Sequence, residues 1–310
     1  MRRAIVTGPT GAIGVALVQK LLAEDTEVYA VCRPCSTRLG NLPKDKRLHV
    51  ISCDLSQLKN LKEQIPVACD TFYHLGWDGT TGKMRNDVYV QIRNVFYCVD
   101  AVEAAYDLGC TVFIGTGSQA EYGHCISRLS EATPESPDTG YGIAKLCAGK
   151  MSRLKCGEYG IKHIWTRILS VYGPYDGDGS LVMTAIKGFL EEEPPILTRC
   201  EQLWDYIYSK DAADILYQLA RKGNDKKVYC VGNGKAVHLS EYVQEIKKAS
   251  GARCVPVFGG IPYPSNQVMY LCADTSALEE DIGYSPQYTF CEGIQETIEW
   301  YKKEKGYEKD

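Results

Sequence analysis

No run of about eighteen uninterrupted apolar residues occurs in this chain, which excludes a membrane-spanning helix. Positive charge is not in excess either. The 35 Lys and Arg against 39 Asp and Glu leave a net charge of -4, the wrong sign for a surface built to hold nucleic acid or anionic lipid. His is scarce, at five. Cys is plentiful at 14, yet the cysteines lie singly in strand-like and helix-like runs, as Cys53, Cys69, Cys98, Cys110, Cys230 and Cys272 do. The one Cys-x-x-Cys, Cys32 with Cys35, has no second pair at zinc-like spacing, so free thiols in a reducing compartment and no metal are expected. There is no internal repeat and no low-complexity linker. Met1-Arg2-Arg3 leads straight into Ala4-Ile5-Val6 with no apolar signal region, and the expected location is the cytoplasm.

What is present is an ordinary globular balance, 310 residues with 45% hydrophobic, enough for one large α/β domain with a smaller lobe. A small-molecule partner is the expectation, with no nucleic acid and no membrane. Up to about Ile168 short β-rich runs alternate with longer helical patterns. Strands are expected at Ala4–Val6, Val28–Cys32, His49–Ser52, Thr71–His74, Val112–Thr116 and His163–Ile168, and helices at Ile13–Ala23, Asp87–Leu108 and Tyr141–Glu158. Strand then helix, repeated, predicts a doubly wound parallel sheet, a Rossmann fold, over residues 1–171. Beyond Tyr172-Gly173-Pro174 the texture changes, with Pro, Gly and charge punctuating shorter elements. Residues 172–310 are expected to form mostly a smaller C-terminal α/β substrate lobe, with segments around 210–250 (Lys210–Arg221, Val228–Val231 and Leu239–Ser250) returning to the main sheet.

The first loop carries the clearest chemistry. Thr7-Gly8-Pro9-Thr10-Gly11-Ala12-Ile13-Gly14 follows a strand and opens an amphipathic helix, so its glycines sit where the chain must turn tightly and admit a pyrophosphate. Free N–H groups and the helix dipole favour that anion. Gly8, Thr10, Gly11, Ala12, Ile13 and Gly14 are therefore expected to bind a dinucleotide. The end of the second strand lacks the carboxylate that would select NAD. It runs instead into Arg33-Pro34-Cys35-Ser36-Thr37-Arg38, and Arg33, helped by Ser36 or Arg38, suits the 2′-phosphate of NADP. NADP is thus the expected cofactor, with NAD the alternative and a solvated Arg33 the plainer reading.

Tyr141 and Lys145 lie four residues apart on one helical face. A free phenol is a poor base near neutral pH, and a fixed cation beside it favours phenolate, the part expected of Lys145. Such a pair occurs often by chance. Ser118, just past a strand at the carboxyl end of the sheet, completes it as a group able to polarise a carbonyl. Asn94 on the preceding helix is a candidate to join through water, although a lone helical Asn is commonly structural.

Taken together, Thr7-Gly8-x-x-Gly11-x-x-Gly14, Cys53-Asp54-Leu55, His74-Leu75-Gly76, Asn94, Ser118 with Glu121-Tyr122-Gly123, Tyr141-x-x-x-Lys145, and Arg167 with Tyr172-Gly173-Pro174 resemble the extended short-chain dehydrogenase/reductase family of nucleotide-sugar epimerases, dehydratases and ketoreductases. The runs 201–211 and 230–235 resemble it too. The resemblance implies that Asp54 and Leu55 touch the adenine, that Leu75 and Gly76 line the cofactor, and that Lys145 also bonds the nicotinamide ribose. It implies a homodimer through the two long helices.

Within such a family, dehydratases carry Asp and Glu directly after the catalytic hydroxyl, whereas Gln119 and Ala120 stand here. Dehydration is therefore not expected. With Arg33 in place of an acid, the reading is an NADP(H)-dependent oxidoreductase that reduces a 4-keto(-6-deoxy) nucleotide sugar, Tyr141 serving as general acid/base. A nucleotide-sugar 4-epimerase with retained NAD, and a carbonyl reductase acting on non-nucleotide ketones, are the alternatives. Glu121, Ser170 and Trp204 are the expected substrate contacts. Tyr206, Tyr263 and Asn266 are further candidates for the nucleotide pocket, each also readable as packing.

Overall fold

Ala4, Ile5 and Val6 have no exposed surface, the burial on both faces that a continuous apolar run requires of a parallel strand. The computed structural model, which describes residues 1–307, builds the first part of the chain by repeating that device. β1 (Arg3–Thr7), α1 (Ala12–Ala23), β2 (Glu27–Cys32), β3 (Leu48–Ser52), the one-turn α2 (Leu61–Gln64), β4 (Thr71–His74), α3 (Val88–Asp107), β5 (Val112–Ser118), α4 (Gly140–Tyr159) and β6 (Lys162–Ile168) follow in order. The chain continues through β7 (Ser170–Tyr172), α5 (Leu181–Leu190), β8 (Leu203–Trp204), β9 (Tyr206–Tyr208), α6 (Ser209–Lys222), β10 (Val228–Val231), β11 (Val237–His238), α7 (Leu239–Ser250), β12 (Tyr270–Leu271), α8 (Ser276–Ile282) and α9 (Phe290–Lys305).

Seven strands form one parallel sheet in the order β3-β2-β1-β4-β5-β6-β10. The order reverses between β1 and β4, the switch point at which the loops leaving the carboxyl ends of adjacent strands diverge and open a crevice. One face is covered by α1 and α6, through Leu17, Leu21, Ile215 and Leu219. The other is covered by α3 and α4, through Cys98, Val102, Ala148 and Cys156, with Trp165 of β6 packed beneath them. Side chains fix where the two site-bearing helices begin: Asp87 Oδ1 accepts from the N–H groups of Tyr89 and Val90, and Thr139 Oγ1 accepts from Gly142 N.

The C-terminal lobe has its own core, in which Val182 and Ile186 of α5, Val243 and Ile246 of α7, and Ile294 and Ile298 of α9 meet. The parallel strands β7 and β9 form a separate two-stranded sheet. Of the later segments, α6 packs on α1 and β10 joins the edge of the main sheet beside β6. The expectation that Leu239–Ser250 also returns is corrected. α7 lies against α5 and α9, because its apolar face of Leu239, Tyr242, Val243 and Ile246 is spent on the lobe's core.

Candidate active site

The loop after β1 is built for close approach. Gly8 has φ +66°, and a Cβ on Gly14 would lie 2.2 Å from the carbonyl oxygen of Gly8, so neither position admits a side chain. A Cβ on Gly11, by contrast, would meet nothing within 4 Å. Gly11 caps α1 without a side-chain bond, which leaves the first-turn N–H groups of Ala12, Ile13 and Gly14 for an anion. Asn41 steadies the loop by donating from Nδ2 to the carbonyl of Thr10 at 3.0 Å. Thr7 Oγ1 accepts from Leu75 N at 3.1 Å and Gly76 N at 3.0 Å, which ties the ends of β1 and β4 together at the switch point.

From this loop a trough of about 690 Å³ runs across the carboxyl edge of the sheet. Gly8, Thr10, Gly11, Arg33, Ser36, Arg38, Asp54, Leu55, Leu75 and Gly76 line it, bringing together the expected cofactor residues on both sides of the switch point. Asp54 Oδ1 accepts from Ser56 N and Oγ at 3.0 and 2.7 Å, and these bonds, with the Arg33 charge, hold its carboxyl below the usual range. Arg38 is partly committed, since Nη2 donates to the carbonyl of Tyr175 at 2.7 Å. An open cradle, a bare helix start and two cations at the far end fit a dinucleotide.

A second cavity of about 360 Å³ adjoins it, lined by Ala12, Ile13, Gly14, Ser118, Tyr141, Lys145, Val171 and Asp176 among others. Ser118 Oγ accepts from Ala120 N at 3.2 Å, leaving its proton free to donate. Burial raises the Tyr141 phenol, while the Ser118 hydroxyl and the Arg85 charge pull it back. The Lys145 ammonium donates to the carbonyl of Thr116 at 2.6 Å and lies 3.8 Å from the centroid of the Trp77 ring. Burial holds it down to about 8. Its nitrogen is 5.8 Å from the centre of the Tyr141 ring, and its hydrogen bond goes to the backbone while its charge faces the indole.

Four other expected residues lie elsewhere. Glu121 has no exposed surface; Oε1 accepts from Ser118 N at 2.8 Å, and its carboxylate takes bonds from Trp165 Nε1 and, at 2.7 Å, from Arg167 Nε. It holds the Ser118 turn from behind, its oxygens engaged by the capping box and the buried Arg167. Asn94 grips a loop rather than a cofactor. Its Oδ1 accepts from Asp78 N at 2.8 Å and its Nδ2 donates to the carbonyls of Asp78 and Val90. Ser170 and Trp204 bond to each other, the indole donating to Ser170 Oγ at 2.7 Å, and neither lines the cavity at Ser118 and Tyr141.

The sequence reading passed over Trp77, Arg85, Gln91 and Asp176. Gln91, buried on α3, accepts from Trp77 Nε1 and donates to the carbonyls of Gly79 and Met84, all at 2.9 Å. With Asn94 it bolts the segment 77–86 against the site. The only local signals were the unusual Trp after His74-Leu75-Gly76 and the polar residues spaced three apart on α3. Asp176 gave none.

Residues 4–232 match the NAD dependent epimerase/dehydratase family. Among curated relatives, the dTDP-glucose 4,6-dehydratase of Neisseria meningitidis serogroup B is 24% identical over 97% of this chain and 93% of its own length. Among solved structures, UDP-N-acetylglucosamine 4-epimerase from Methanobrevibacter ruminantium M1, in complex with UDP-N-acetylmuramic acid, superposes with a TM-score of 0.87 at 22% identity, covering 98% of this chain and 99% of that one. UDP-glucuronic acid 4-epimerase from Bacillus cereus, in complex with NAD, gives 0.84 at 22% identity over 97% and 99%. The sheet order, the glycine loop at its switch point and the family match over most of the chain lead to one conclusion: this chain belongs to the NAD dependent epimerase/dehydratase family, within the extended short-chain dehydrogenase/reductases.

Proposed function

We propose that this chain reduces the 4-keto group of a nucleotide-linked sugar, of the 4-keto-6-deoxy type, with NADP(H) as cofactor and Tyr141 as general acid. The observation that carries the reading is the meeting of Ser118, Tyr141 and Lys145 at a cavity that shares Gly8, Gly11, Leu75, Trp77 and Thr80 with the dinucleotide trough. When bound, the reduced nicotinamide supplies two electrons and a hydrogen to the carbonyl carbon. Tyr141 gives its phenolic proton to the carbonyl oxygen, and Ser118 donates a hydrogen bond to the same atom. Lys145 steadies the phenolate that remains until solvent returns the proton.

Arg33, Ser36 and Arg38 at the end of the trough support NADP, since β2 closes on Cys32 with no carboxylate to meet a ribose hydroxyl. Gln119 and Ala120 support the exclusion of dehydration, because neither side chain carries a proton that titrates near neutral pH. One observation favours a second reading. The structural neighbours named above are 4-epimerases, one of them in complex with NAD, so a retained NAD that takes electrons from C4 and returns them is the alternative.

Mass spectrometry of the products from a panel of 4-keto dTDP- and UDP-sugars with NADPH decides between them. Net reduction with one NADPH consumed per product supports the reductase. Interconversion of UDP- or dTDP-hexoses without net cofactor consumption supports the epimerase, and formation of a 4-keto-6-deoxy product from a dTDP-hexose defeats the exclusion of dehydration. A homodimer belongs to the same proposal: Tyr89, Ile92 and Phe96 of α3 and Ile143, Met151 and Leu154 of α4 form an exposed apolar face, of the kind that monomers seldom leave uncovered.

A further inference from the structure

Arg85 stands on the short helical turn Gly82–Asn86, just before α3, in a part of the chain with no functional signature in sequence. Its guanidinium carbon lies 4.3 Å from the centroid of the Tyr141 ring, while Nη1 donates to the carbonyl of Thr80 at 2.9 Å. The ring is also met edge-on by Trp77, with centroids 6.1 Å apart. Asn86, the next residue, accepts from Gly140 N at 2.9 Å and so docks this turn onto the start of α4. Gln91 and Asn94 bolt the same segment from α3. Arg85 is therefore delivered to Tyr141 by a framework of polar bonds, exposed at Thr80 and Gly140 and part-buried at Gln91 and Asn94.

The other charges around the phenol are accounted for. Lys145, one turn along α4, spends its hydrogen bond on Thr116 and turns its charge to the Trp77 ring. Glu121, behind the Ser118 turn, is paired with Arg167, and Asp176 lines the far side of the cavity. Of the two cations over the ring, Arg85 at 4.3 Å lies nearer its centroid than Lys145 at 5.8 Å.

We propose that Arg85 is a positioning residue for Tyr141, its guanidinium fixing the phenol ring between itself and Trp77 and favouring phenolate over phenol. The inference rests on the reading of Tyr141 as the proton-transfer group. A cation over an aromatic face is attracted by the ring, and the attraction grows when the ring takes on negative charge. The lowering of the Tyr141 phenol by the Arg85 charge points the same way.

The test is a pH titration by fluorine NMR of protein carrying 3-fluorotyrosine, whose more acidic phenol brings the midpoint closer to the stable range. The Tyr141 resonance is identified by its loss in Tyr141→Phe. Arg85→Gln removes the charge and keeps a donor for the Thr80 carbonyl, and Arg85→Lys keeps the charge. The midpoint is expected to rise by about one pH unit in Arg85→Gln and to fall back at least halfway in Arg85→Lys. NADPH affinity, measured on the same proteins, is expected to change less than about threefold. An unchanged midpoint in Arg85→Gln overturns the proposal, as does weakened NADPH binding with no movement of the midpoint, which marks a role in loop structure only. Full activity of Tyr141→Phe would defeat the reading of the active site and leave the measured coupling between Arg85 and the ring standing.

Discussion

Replacing Lys145 by Met should make the protein more stable while making it inactive. The ammonium is buried, donates to one backbone carbonyl, faces one indole ring, and among the described residues pairs with no carboxylate, the Glu121 charge acting only from a distance. Holding its pKa down from 10.5 to about 8 corresponds to roughly 3 kcal/mol of unfavourable burial at pH values where both states are protonated. Met fills much of the same channel without the charge, at the cost of an unpaired Thr116 carbonyl, about 1 kcal/mol. A net gain of about 1–2 kcal/mol follows.

Its pH dependence gives the sign away. Below pH 8 the folded and unfolded states of the unmutated protein carry the same proton, and the variant's advantage is constant. Between about 8 and 10.5 the unfolded chain binds the proton more tightly than the folded one, so the unmutated protein gains relative stability with rising pH and the advantage of Lys145→Met shrinks. Urea unfolding of both proteins without cofactor, from pH 6 to 10, reads this directly, because every other titrating group is common to the pair. A variant less stable at pH 7, or a difference that grows above pH 8, would refute the account of Lys145 as a strained, functionally retained cation.

Three further outcomes follow from the same geometry. Tyr141→Phe should lower turnover by about 10²–10⁴ with folding and dinucleotide affinity kept, as stopped-flow rates and fluorescence titration would record. Arg33→Ala should cost about 1.5–3 kcal/mol of NADPH binding and little of NADH binding, read as dissociation constants; equal affinities in the unmutated protein would remove the basis for NADP. Glu121→Ala should cost about 3 kcal/mol of stability by leaving Arg167 with Glu135 as its one carboxylate partner, whereas normal stability with a raised KM would return Glu121 to the substrate.

The sheet was legible because most of its strands are apolar runs buried on both faces, β3 at the edge excepted, and its helices have caps or periodic faces, signals that survive in one dimension. The glycine loop was legible for the same reason, its constraint being steric and local. α7 was misassigned because an amphipathic helix advertises an apolar face without saying which core receives it. The inward turn of Glu121 was not legible, because a carboxylate three residues after Ser118 reads alike whether it turns outward to a ligand or inward to Arg167. Arg85 and the placement of Trp77 were illegible for a different reason. Their contact with Tyr141 and Lys145 is created by a turn that brings residues 77 and 85 against 141 and 145, and no periodicity records that fold-back.

Gln91 and Asn94 hold the segment 77–86 almost wholly by its peptide groups, at Asp78, Gly79 and Met84, with the Trp77 indole as the one side chain gripped. A peptide group is the same whatever residue bears it. The shape of this segment is thereby insulated from its own composition, so Thr80, Thr81, Lys83 and Met84 can change under selection for a different ligand without Tyr141 losing its neighbours. The two polar residues on α3 make the wall of the site a replaceable panel in a fixed frame.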